Sequence, residues 1–262
     1  MSRRHLVSAA MPPYPLIEDV CFTDPAFWLR DDREAVFAAF RRDAPVSWQV
    51  STKRIARGGF WSLTRFNEVE QVSRDWKTFS SRLGSSIEDE TEEMAQAIGG
   101  MLNMDAPAHV RLRRIVNKSF APAAMASLTK SIHHNALELV DNVIEQGECD
   151  FARDIAIPYP VAVICDLLGA PRTDRKYLQQ LTTTALCADL PEFGGREGSG
   201  YQAFADLNDY GAQMARERRA KPRDDMIGLL VAANAGGEPL SDEEVGIYFQ
   251  LLVTAGIETT GT

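Results

Sequence analysis

The chain has 262 residues, 45% of them hydrophobic and 25% charged, which suits a globular protein with a sizeable core. A formal charge of −9 and a pI of about 5.0 argue against general nucleic-acid binding. Cys21, Cys149, Cys165 and Cys187 form no CxxC pair and no Cys/His ligand spacing, so reduced thiols in a cytoplasmic protein are expected.

Residues 1–15 read as a flexible leader, with Met11 as an alternative start. Arg3 and Arg4 are followed by too short an apolar stretch, before Pro12 and Pro13, for a signal peptide or membrane anchor. Asp31 to Arg42 has helical period, with Ala35, Val36, Ala39 and Phe40 on one face. Val46–Val50 and Gly59–Thr64 read as two strands of a hairpin, joined by a basic loop carrying Lys53, Arg54 and Arg57. A short helix follows from Arg65, ending near Lys77. Nothing in this block is chemically reactive, so it reads as scaffold. Arg82 to Gly100 is polar and acidic (Glu88, Asp89, Glu90, Glu92, Glu93) and is expected to be a mobile surface loop.

In Met101 to Pro122, Asp105 can cap a helix, Pro107 is tolerated in its first turn and Pro122 marks its limit. His109 and Arg113 are four apart and share a face. Arg111, Arg114 and Lys118 lie on another face, and Leu112, Ile115, Val116 and Phe120 supply the apolar side. Three readings compete. The helix could present a solvated basic face. It could be a DNA-recognition helix, which the acidic charge and the lack of a helix-turn-helix partner oppose. Or His109 and Arg113 grip a carboxylate, to which a guanidinium fork and an imidazole N–H are suited.

Ala123 to Gln146 is an amphipathic helix through Met125, Leu128, Ile132, Ala136, Leu139 and Val143, with Gly147 at its C-cap. His133 and His134 are adjacent and diverge, so they are expected at the surface. Pro158–Tyr159–Pro160 opens an apolar helix to Leu168, closed by Gly169, in which Cys165 is a buried small hydrophobe. Two more helices, Arg172 to Leu190 and Gly200 to Ala220, flank a loose linker. A shorter one begins at Asp224.

The last stretch, LSDEEVGIYFQLLVTAGIETTGT, opens on a capping box of Ser241 and Glu244. From Val245 to Ile257 it is apolar almost all round, broken chiefly by Gln250 and Thr254, as a helix in the middle of a protein would be. Ala255 and Gly256 then give way to Glu258, Thr259 and Thr260. Two readings stand. A small-residue gap beside an acid and a hydroxyl suits proton delivery next to a flat ligand. Alternatively the helix simply frays there, with Gly256 as its cap.

The segment Ala255-Gly256-Ile257-Glu258-Thr259-Thr260 resembles the [AG]-G-x-[DE]-T-[TS] signature of the central helix of cytochrome P-450 haem-thiolate monooxygenases. Met104 to Arg113 is similar to the family's M-D-x-P-x-H-x-x-x-R phrase. FWSLTRFNEVEQVSRDWKTFSS and KPRDDMIGLLVAANAGGEPLSDEEV resemble bacterial members, and the wording is closest to actinobacterial enzymes acting on sterols, terpenoids and branched lipids. The resemblance implies a mainly α fold with a small β-sheet. It also implies haem b held through its propionates by His109 and Arg113, with Ala255 and Gly256 leaving the oxygen gap. Glu258 and Thr259 would deliver protons, and Arg111, Arg114 and Lys118 would receive a ferredoxin supplied by a reductase with NAD(P)H. The substrate would be a hydrophobic small molecule; no nucleic acid and no membrane anchor is expected. The acidic Arg82–Gly100 loop would act as a lid over the substrate.

Neither the family's E-x-x-R helix nor its F-x-x-G-x-x-x-C-x-G loop occurs in the 262 residues, and none of the four cysteines is nominated as iron ligand. Residues 16–262 are therefore expected to be one incomplete domain, and the chain alone to be inactive and poorly soluble or partly folded. The alternative is a helical binding module or an inert truncated product.

Overall fold

The computed structural model describes residues 20–51, 55, 58–120, 122–188, 196, 198–233 and 239–261. The leader, the basic loop at Lys53, Arg54 and Arg57, and most of the 191–199 linker lie outside the described residues. The chain divides between Glu92 and Glu93 into two compact units.

In the first unit, α1 (Pro25–Trp28) is capped by the Asp24 carboxylate, which accepts from the Ala26 N–H at 2.9 Å. Its Phe27 packs edge-on against Phe22, 5.0 Å between ring centroids, and Phe22 in turn meets Phe40 of α2 (Arg33–Asp43) at 5.0 Å. Strands β1 (Val46–Val50) and β2 (Gly59–Leu63) pair antiparallel, with Trp48 opposite Trp61. After α3 (Phe66–Arg74) the chain runs irregularly to α4 (Glu92–Gly99).

That last helix corrects the expectation of a loop over the whole of Arg82–Gly100. Acidic residues in its first turn suit the positive end of the dipole, and Ala95 and Gly99 are buried. Two amides then bond its outer carbonyls: Asn103 donates to Ala95 O at 2.6 Å, and Asn208 to Ala97 O at 3.0 Å. One of these partners, Asn208, is distant in sequence, so the local composition concealed the helix.

The second unit is helical: a 3-10 turn (Gly100–Asn103), α5 (Ala108–Ser119), α6 (Pro122–Ile144), a π-helical turn (Ala152–Ala156), α7 (Pro158–Leu168), α8 (Arg175–Cys187), α9 (Ser199–Ala220), α10 (Met226–Ala232) and α11 (Asp242–Gly261). Gly169 closes α7 in the left-handed region at φ 78°. Along α6, His133 and His134 are exposed as expected. Its best-buried described residue is polar, however. Asn135 and Ser131 both donate to Asp166 of α7, Asn135 at 2.8 Å, and Arg175 of α8 reaches the other carboxylate oxygen at 2.5 Å.

At the centre, α11 packs against α9, α7, α8 and α10. The crossing with α9 is made by two glycines. A Cβ on Gly246 would lie 2.4 Å from Asn208 O, and one on Gly211 would lie 2.4 Å from Phe249 Cβ. Glycine in a helix costs roughly 0.5–1 kcal/mol, offset here by a backbone approach that buries Leu207, Met214, Ala215, Val245, Phe249 and Val253. At the other end of α9, Arg218 donates to Asp225 and to Gly169 O, both at 2.8 Å, tying α9, α7 and α10 together.

Candidate functional site

The site is built on α11. Its start is fixed by the reciprocal capping box: Ser241 N–H donates to Glu244 at 2.8 Å, and Glu244 N–H to Ser241 Oγ at 3.1 Å. Arg219 adds an ion pair to Asp242 at 2.7 Å. The buried body of the helix carries two polar residues. Thr254 donates to the carbonyls of Gln250 and Leu251, at 2.9 and 3.2 Å, and Gln250 donates its amide to Thr254 Oγ1 at 3.2 Å. Gln250 Oε1 is buried without a partner among the described residues.

Beyond Thr254 the helix emerges. Ala255, Thr259 and Thr260 are exposed, and the Thr259 hydroxyl donates to Ala255 O at 2.6 Å. The two residues are one turn apart and share a face. Gly256 turns the other way: a Cβ there would lie 2.4 Å from Ile164 Cδ1, so the space it leaves is taken up by α7. The open side of the motif is thus at Ala255 and Thr259. The helix does not end at Gly256 but continues to Gly261. The Glu258 side chain lies outside the described residues.

Among the described side chains of α5, Leu112 is the buried one, and it lines a cavity of about 30 Å³ together with Met101, Met104, Tyr248 and Leu251. The remaining faces carry the polar groups. His109 is half-buried and Arg113 exposed, and neither side chain has a hydrogen bond or ion pair among the described residues. Arg111 and Arg114 are exposed and unpaired in the same sense, and the Lys118 side chain lies outside the description. No hydrogen bond among the described residues joins His109 or Arg113 to the Ala255–Thr259 face.

Sequence reasoning missed Tyr248. It is 3% exposed, and its hydroxyl has no partner among the described residues. Burial pushes its phenol pKa up, the Glu244 carboxylate adds to this, and Arg111 opposes it. A tyrosine inside an otherwise apolar run was the available signal.

A haem, which the resemblance implies, would need donors for two propionates and a thiolate for its iron. The α5 pair fits the first need, being cationic or N–H-bearing, adjacent and without competing partners. The cysteines do not supply the second. Cys165 is fully buried, and desolvation pushes its thiol up to about 12. Cys21 bonds Val50 O, Cys149 is exposed, and Cys187 ends α8. Among the described residues no group of three His, Cys, Asp or Glu side chains could hold a metal ion, and no helix is long and apolar enough to cross a membrane.

No protein-family model matches the sequence. Among curated proteins, the chain is 34% identical over 262 residues to a methyl-branched lipid omega-hydroxylase of Mycobacterium tuberculosis, covering 97% of this chain and 61% of that protein. It is 33% identical over 250 residues to a steroid C26-monooxygenase of Mycobacterium bovis, covering 91% and 57%. Among solved structures, a Mycobacterium marinum cytochrome P450 in complex with pseudoionone superimposes at TM-score 0.83 and 30% identity, over 97% of this chain and 63% of that one. A cytochrome P450 of Novosphingobium aromaticivorans gives 0.73 and 30%, over 90% and 58%. The chain therefore spans about three-fifths of the length of the curated relatives it matches. The same helical fold with its small sheet, shared over nearly the whole of these residues, makes the chain a member of the cytochrome P450 superfamily, whose cofactor is haem.

Proposed function

We propose that this chain forms part of a haem-thiolate monooxygenase that hydroxylates a hydrophobic small molecule. When bound, the haem and its cysteine thiolate supply the activation of dioxygen. His109 and Arg113 hold its propionates, each through a charge-assisted bond of roughly 1.5–3 kcal/mol. Residues 16–262 are read as one incomplete domain behind a leader of residues 1–15.

The observation that carries the proposal is the Thr259 hydroxyl donating to Ala255 O at 2.6 Å on the exposed side of α11. In that position the hydroxyl can accept a hydrogen bond while its own proton points to the main chain, and by rotating it can turn that O–H toward the open side instead. Glu258, adjacent in sequence, relays protons from water, and Ala255 keeps the flank open with only a methyl group. This is positioned acid catalysis. The capping box and the Gly211–Gly246 crossing hold the helix rigid behind these groups.

The relatives named for methyl-branched lipids and steroids support a substrate with a lipid, sterol or terpenoid skeleton. Electrons come from a ferredoxin, reduced by its reductase with NAD(P)H, that docks on Arg111, Arg114 and Lys118 in the cytoplasm. Complementary charge speeds such an encounter.

The test is Thr259→Ala in the haem-loaded enzyme. NAD(P)H consumption should continue while hydrogen peroxide rises and product falls. Unchanged coupling of electrons to product would assign the proton-delivering role elsewhere.

A further inference from the structure

We draw no further inference here: the strongest candidate, the exposed apolar stripe of Leu137, Val140 and Ile144 along α6, carries nothing because nothing in the structure shows what covers it.

Discussion

Arg218 and Arg113 show two ways this protein treats a cation. Arg218, 3% exposed in α9, is bonded to Asp225 and to the carbonyl that ends α7. Arg113 stands exposed on α5 beside Arg111 and Arg114, with no ion pair among the described residues. A buried charge must bring its partner with it, because desolvation is otherwise too costly. Exposed arginines concentrated on one helix repel each other, and in a chain of net charge −9 acidic partners are plentiful. The first arrangement holds three helices together. The second is what a bound anion requires.

The contrast can be broken from either side. Arg218→Ala leaves Asp225, only 11% exposed, without its cation and should cost about 3 kcal/mol, read by denaturant unfolding. Arg113→Ala should stay within about 0.5 kcal/mol of wild type, as exposed substitutions do. A loss as large at Arg113 as at Arg218 would make α5 a structural element like α9. Next in size is Gly246→Ala, whose added methyl meets the Asn208 carbonyl rather than a movable side chain. A cost of about 1–3 kcal/mol is expected from such overpacking, with Gly256→Ala milder because flexible Ile164 can give way. Equal stability of Gly246→Ala and wild type would mean that the two helices do not approach so closely.

The smallest effect concerns pH. Burial would raise the carboxyl of Asp166, but the bonds from Ser131, Asn135 and Arg175 outweigh it and hold it below the usual carboxylate range. A depressed carboxylate contributes stability above its unfolded pKa and loses it as pH falls through the folded one. Asp166→Asn should therefore flatten the stability profile below about pH 4, where wild type declines. Parallel profiles for the two proteins would show that the network does not depend on this charge.

Much of α11 was legible beforehand, since a capping box and an all-round apolar run are local signals that survive without tertiary information. The i, i+4 spacing of His109 and Arg113 was legible for the same reason. The Gly211–Gly246 crossing was not, because a glycine in a helix says that something comes close without saying what. Gly256 shows the same limit: the sequence marks a gap, and the fold gives that gap to Ile164. The helix at Glu92–Gly99 was hidden because its stabilising amides come from Asn103 and Asn208, one a few residues away and the other on α9. Tyr248 read as core by its neighbours. Only its unpartnered hydroxyl sets it apart, and that is a property of the packed state.

Whether α5 is a carboxylate-binding helix is tested most directly by comparing haem with haem dimethyl ester, whose propionates carry no charge. Binding to the full chain would be followed by fluorescence quenching, for wild type and for the His109→Ala/Arg113→Ala double variant. Wild type should prefer free haem by about tenfold or more, as one charge-assisted bond implies, and the double variant should bind both forms almost equally. The same preference in both proteins, or none in wild type, would contradict the assignment of His109 and Arg113 to the propionates.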